Sequence, residues 1–171
     1  MNNRKTKKVG AKNTGPQSVV AQTRRVLYTK VIARVSDAMV HGYPLEAIAL
    51  LESMIADRLE ARRDCISAQD TNKRVFDTAY ETAEFLAGKK QQESDAAKEI
   101  YEAVKAWAPR RNELLHQMVK LAENETKAWD ARLQEAQSTA MDGLDIFRKL
   151  DALVKKLNKP KPDSASKKPK N

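Results

Sequence analysis

Residues 44–66, PLEAIALLESMIADRLEARRDCI, decide the fold of this chain. Ile48, Leu51, Ile55 and Leu59 recur at spacings of three and four, with Leu45 and Met54 beside them. That spacing lays one apolar stripe along an α-helix and scatters across both faces of a strand. Pro44 suits a first helical turn, where its missing N–H is not needed. Arg58, Arg62 and Arg63 crowd the last turns, which suits the negative end of the helix dipole. An amphipathic helix must cover its stripe with another element, and the flanking sequence supplies several.

Upstream, a helix is expected from just after Pro16 to about Val40. Val20, Leu27, Val31, Val35 and Ala38 form its stripe, and His41-Gly42 ends it. Downstream, Asp70 or Thr71 is expected to cap a third helix whose inner face is Phe76, Ala79, Tyr80, Ala83 and Leu86, stopped by Gly88. Ser94 or Asp95 caps the next, with Ile100, Tyr101, Val104 and Trp107 inside. Pro109 is expected to break or kink the chain and to open a separate helix running to about Ala122. After Asn124 a further helix holds Trp129, Leu133 and Ala136. Gly143 marks a break, and the last helix buries Leu144, Phe147, Leu150, Leu153 and Leu157 before Pro160. Short connections between amphipathic helices predict an all-α antiparallel bundle of about five to six helices.

The net charge of +9 is not spread evenly over the 171 residues. Residues 1–15 carry five cations and no acid, and residues 158–171 carry five lysines and one acid. The 142 residues between them, 16–157, balance 22 cations against 22 acids. The predicted organisation is therefore a neutral helical bundle between two basic, flexible tails. The Pro/Lys/Ser-rich stretch from Pro160 has too little apolar surface to order itself. Such tails attract RNA or other polyanions weakly and in a salt-sensitive way, or simply keep the chain in solution. A single cysteine, Cys65, forms no internal disulfide and fits a reducing cytoplasm. One Cys and two His are too few soft ligands for a structural zinc site. No apolar run is long enough to span a membrane, and none follows the basic N-terminus as a secretory signal requires.

Chemistry concentrates in Arg111-Asn112-Glu113-Leu114-Leu115-His116. On a helix, Leu114, Leu115, Met118, Leu121 and Ala122 turn to the core, and Asn112 lies beside His116 on the outer face. Arg111 falls nearer the apolar stripe. If Pro109 opened the helix, Arg111 could swing around the helix end, and a phosphate there would meet both the guanidinium and the positive end of the dipole. RNA carries its own nucleophile, the 2′-hydroxyl. His116 could take that proton as general base, Arg111 could stabilise the phosphate, and Asn112 could orient the imidazole or hold the ribose. The products would be a 2′,3′-cyclic phosphate and a 5′-hydroxyl, with no metal and no cofactor required. A single histidine leaves no obvious general acid. Two copies facing each other would supply a second His116 and a second Arg111.

Glu52 intrudes on the second helix's stripe, four residues after Ile48 and three before Ile55. A buried carboxylate there needs a partner, and Arg111 or a dimer-mate arginine would serve. The alternative is a boundary residue that reaches water. Arg111 itself could instead pair on the surface with Glu113 or another acid. Tyr101 and Trp107 follow the helix stripe and are expected in the core.

With these residues the chain resembles the HEPN superfamily, helical bundles whose ribonuclease members share Arg, four to six residues, then His, commonly with a polar residue directly after the Arg. Arg111-Asn112-x3-His116 matches the shorter spacing with the preferred Asn, preceded by an apolar second helix from Ala47 to Arg62. The resemblance spans roughly residues 18–157. It implies a homodimer with two motifs across a composite cleft, metal-independent endoribonuclease activity, and a toxin–antitoxin or antiviral-defence role with a regulatory or antitoxin partner. Arg34-x6-His41 also fits the loose pattern. It is set aside because Val35 follows Arg34 and His41 abuts a helix-ending Gly. Arg110 also keeps a permitted spacing to His116. Two further readings stand beside the enzyme: a non-catalytic helical adaptor or dimerisation module, and an RNA-binding protein working through its basic tails.

Overall fold

The computed structural model describes residues 16–67, 78–89, 93–118 and 129–158. Five helices carry them: α1 (Pro16–Val40), α2 (Pro44–Ile66), α3 (Ala79–Ala87), α4 (Asp95–Gln117) and α5 (Trp129–Leu157). There is no strand among the described residues. None of the helices is long and apolar enough to cross a membrane.

α2 is the axis. It packs against each of the other four helices, because its stripe is wide: Ala47, Ile48, Leu51, Ile55 and Leu59 are all fully buried. α1 returns against it through a tight turn. Gly42 takes φ +79°, and the Tyr43 amide donates back to the Ala38 carbonyl at 2.8 Å, satisfying helix-end carbonyls with a left-handed residue that glycine adopts without strain. Arg34 locks the turn, with its Nε and Nη2 on Glu46 at 2.7 and 3.0 Å and Nη1 on Asp37 at 2.8 Å. His41 lies against Asp37 as well. The second Arg/His pair in the sequence is thus committed to the α1–α2 corner.

The consecutive pairs α1/α2 and α4/α5 are antiparallel. α2 and α5 run the same way: Arg58 meets Asp151, and one turn later Arg62 donates to Asn158 at 3.0 Å. Asn158 also donates to the Ala61 carbonyl, so it belongs to the bundle and not to the tail. Arg58 and Arg62, which the sequence assigned only to the negative end of the helix dipole, are buried. Arg62 is held by Glu93, whose carboxylate is fully buried, at 2.7 Å.

Several boundaries differ from the sequence expectation. α4 runs unbroken through Pro109. Proline removes one hydrogen bond to the residue four back. Here it is exposed, so the bond is lost on a water-facing side, while Trp107, Ala108, Arg111 and Leu114 are buried on the other. Gly143 does not break α5 either; it is an interior residue of one long helix. Its missing side chain makes room for Trp107: a Cβ on Gly143 would sit 2.9 Å from Trp107 Cζ2. The indole Nε1 then donates to the Thr139 carbonyl at 2.8 Å, so this fully buried aromatic leaves no polar atom unpaired. α3 is capped by Thr78, whose hydroxyl accepts from the Glu81 amide. The Thr-x-x-Glu spacing of residues 78–81 carried that signal. Asp70, Thr71, Phe76, Leu121, Ala122 and Asn124 lie outside the described residues, as do residues 1–15 and 159–171.

Two expected core residues are exposed, Leu27 (56%) and Tyr80 (37%), and Trp129 is 53% exposed. Tyr28 of α1 packs edge-on to Phe147. Leu27 precedes that contact. Tyr80 and Trp129 each lie within the first two residues of their helix, where a neighbouring helix covers least.

Gly143→Ala is expected to destabilise the bundle: overpacking costs about 1–3 kcal/mol, offset by the ~1 kcal/mol that Ala gains over Gly in a helix, for a net loss of up to about 2 kcal/mol. Urea unfolding measures this. A variant as stable as the parent would show that Trp107 does not require the glycine.

Candidate functional site

α4 positions the Arg/His motif. Ser94 caps the helix, its hydroxyl accepting from the Ala97 amide at 3.3 Å. Because α4 begins at Asp95, the motif sits in the last turns of a long helix and not in a first turn after Pro109. The expected coincidence of Arg111 with a positive helix end is therefore overturned. The positive end lies at Asp95, already next to an acid.

The helix separates the motif residues. Asn112 and His116 are exposed and lie beside each other on the outward face. With Pro109 and Glu113 they line an open concavity of about 510 Å³. Arg111 turns the other way, about 140° around the helix from His116 by ideal geometry. It is 8% exposed and pairs with Glu52 of α2. Its guanidinium also lies over the Trp107 ring, 5.9 Å from the centroid.

The sequence left Glu52 between two roles, a partner for Arg111 and a boundary residue. The structure joins it to Arg111, with a quarter of its side chain still open. Desolvation pulls the Arg111 guanidinium below its ordinary pKa, and the Glu52 carboxylate works against that. Arg111 Nε is buried with no hydrogen-bond partner, so the pair leaves one strong donor unanswered.

Glu113, expected only as a surface partner for Arg111, faces the concavity with His116 instead. Its i, i+3 spacing to His116 was the available signal. Arg110, the other cation at a permitted spacing, bonds Asp142 of α5 at 2.8 Å with both side chains about half exposed. At the end of the helix, Arg132 of α5 donates to the Met118 carbonyl at 2.8 Å. It answers a carbonyl that the helix itself cannot. Cys65 is exposed and free. Among the described residues no group of three His, Cys, Asp or Glu side chains could hold a metal ion.

One chain therefore presents an imidazole and an amide on an open face, with the arginine clasped behind them. The first pair can exchange a proton and orient a hydroxyl. The clasped arginine can meet a phosphate only by exchanging its Glu52 partner. No family model, no curated protein and no solved structure matches the chain.

Replacing Glu52 by Gln leaves a largely buried cation without its counter-charge, with an expected loss of about 1–3 kcal/mol. A double-mutant cycle with Arg111→Met should give a coupling of about 0.5 kcal/mol or more. Additive effects in urea unfolding would show that the two side chains do not act as a pair.

Proposed function

We propose that the chain is a metal-independent endoribonuclease whose working form is a pair of copies. The observation that supports this best is the placement of Asn112 and His116 side by side on the open outer face of α4, with Arg111 adjacent in sequence. His116 of one copy takes the 2′-hydroxyl proton, and the oxygen attacks the neighbouring phosphorus. The P–O bond to the 5′-carbon breaks, leaving a 2′,3′-cyclic phosphate. The departing 5′-oxygen takes a proton from the second copy's imidazolium, which a lone histidine cannot provide. Asn112 holds the imidazole or the ribose. Arg111 leaves Glu52 for a phosphate oxygen, where a guanidinium stabilises the charge that builds up. The resemblance to HEPN ribonucleases supplies the toxin or phage-defence setting in the cytoplasm, with an antitoxin or other regulatory partner.

A second reading rests on a specific observation: Arg111 is buried and already paired. In that case the motif arginine is a structural residue, and the bundle is a non-catalytic adaptor or dimerisation module. Binding of RNA through the basic tails alone is the third, and it concerns residues outside the described bundle.

The deciding assay is cleavage of a mixed RNA pool in EDTA by the native chain and by His116→Ala. The enzyme should leave cyclic-phosphate ends, and His116→Ala should cut slower by about 10²-fold or more. Arg111→Ala should also lose cleavage while circular dichroism still reports a folded bundle. Equal cleavage by native chain and His116→Ala would remove His116 from the chemistry. Silence of both, with a folded His116→Ala, favours the adaptor.

A further inference from the structure

A second concavity, of about 420 Å³, lies where α1, α2 and α5 meet and shares no residue with the motif on α4. Arg24, Arg25, Arg58 and Lys155 line it, together with Tyr28 and Asp151. We propose that it binds the phosphate group of a phosphate ester.

The charge balance points that way. Two carboxylates touch three of the four cations. Asp151 bonds Lys155 at 2.6 Å and lies 3.5 Å from Arg58. Asp57 lies 3.4 Å from Arg24 and 3.6 Å from Arg58. Two positive charges are left over, a local excess within a bundle that sums to zero. Arg25 has no acidic partner among the described residues, and its exposed side chain borders the pocket. Arginine is the side chain best matched to a phosphate, since its planar fork donates two parallel hydrogen bonds to two oxygens.

One of the cations is also set in place before any ligand arrives. Arg58 is 7% exposed and stacks on the Tyr28 ring at 4.5 Å. Its Nε donates to the Tyr28 hydroxyl at 2.8 Å, and that hydroxyl donates in turn to Asp57. Burial and the Asp57 carboxylate push the phenol's pKa upward, so it stays a neutral donor. A cation held in this way gives up little side-chain entropy on binding. The volume lies in the usual range for small-ligand sites and exceeds what a bare inorganic ion fills. There is room beside a phosphate for an organic group. A free nucleotide and a segment of RNA backbone share that chemistry.

The test is calorimetric titration of the full chain with adenosine 5′-monophosphate and, separately, with a short single-stranded RNA lacking terminal phosphates. Three proteins are compared: the native chain, Arg25→Gln/Lys155→Gln, and a tail control, Lys167→Gln/Lys168→Gln. Both pocket side chains are exposed, so the fold should survive, and Arg25→Gln alone repeats the test if the double variant does not fold. The pocket variant should weaken binding roughly tenfold or more, and the tail control should leave it unchanged. Loss with the mononucleotide identifies a free phosphate ester as the ligand, and loss with the RNA alone identifies its backbone. Equal affinity of native and pocket variants for both probes would overturn the proposal. So would a loss found only in the tail control, or no binding of either probe to the native chain.

Discussion

The indole of Trp107 seated on Gly143 is the contact on which the rest of this bundle depends. It lets α4 and α5 approach closely enough for the Nε1–H to reach a backbone carbonyl of the facing helix. A carbonyl inside a helix keeps a second lone pair, and the indole reaches the one at Thr139 because Gly143 has no side chain in the way. That constraint sets the rotation of α4 about its own axis. With Trp107 facing α5, Arg111 one turn later faces α2 and Glu52, and Asn112 and His116 face outward. The separation of the motif residues follows from packing the tryptophan.

Buried arginines are the second theme. Arg58, Arg62, Arg111 and Arg132 are each under a tenth exposed. Arg58, Arg62 and Arg111 each meet a carboxylate from another segment, and Arg132 meets the end of α4. Such pairs add less stability than well-packed apolar residues would, but removing one partner is costly. They specify which helix meets which. In a bundle of similar amphipathic helices, apolar stripes alone do that poorly. Two of these arginines also stand at the places where function is proposed, Arg111 behind the α4 face and Arg58 in the wall of the α1–α2–α5 pocket.

Much of the architecture was legible in the sequence. The spacing of Ile48, Leu51, Ile55 and Leu59 gave α2, and each is fully buried. Gly42 and Pro44 gave the first corner, and Ser94 gave the start of α4. Pro109 and Gly143 were misleading as punctuation. Both residues weaken an isolated helix, so local propensity marks them as ends. In the folded chain Pro109 faces water, and Gly143 is required by a side chain 36 residues earlier in sequence. Tertiary packing outweighs a penalty of about 3 kcal/mol at Pro109 and about 1 kcal/mol at Gly143.

The sequence by itself determined that the chain is helical, where most helices start and stop, that its charge sits in its ends, and that Asn112 and His116 share an outer face. These depend on relations within a few turns of one helix. The tertiary structure alone decided that Arg111 is clasped by Glu52, that Arg58 and Arg62 lie inside, that α2 and α5 run parallel, and that four cations gather around one pocket. Each of these joins residues from separate helices. Helical periodicity fixes the direction of a side chain only relative to its own axis. The rotation and order of the axes come from the fit of large side chains into small ones across the core.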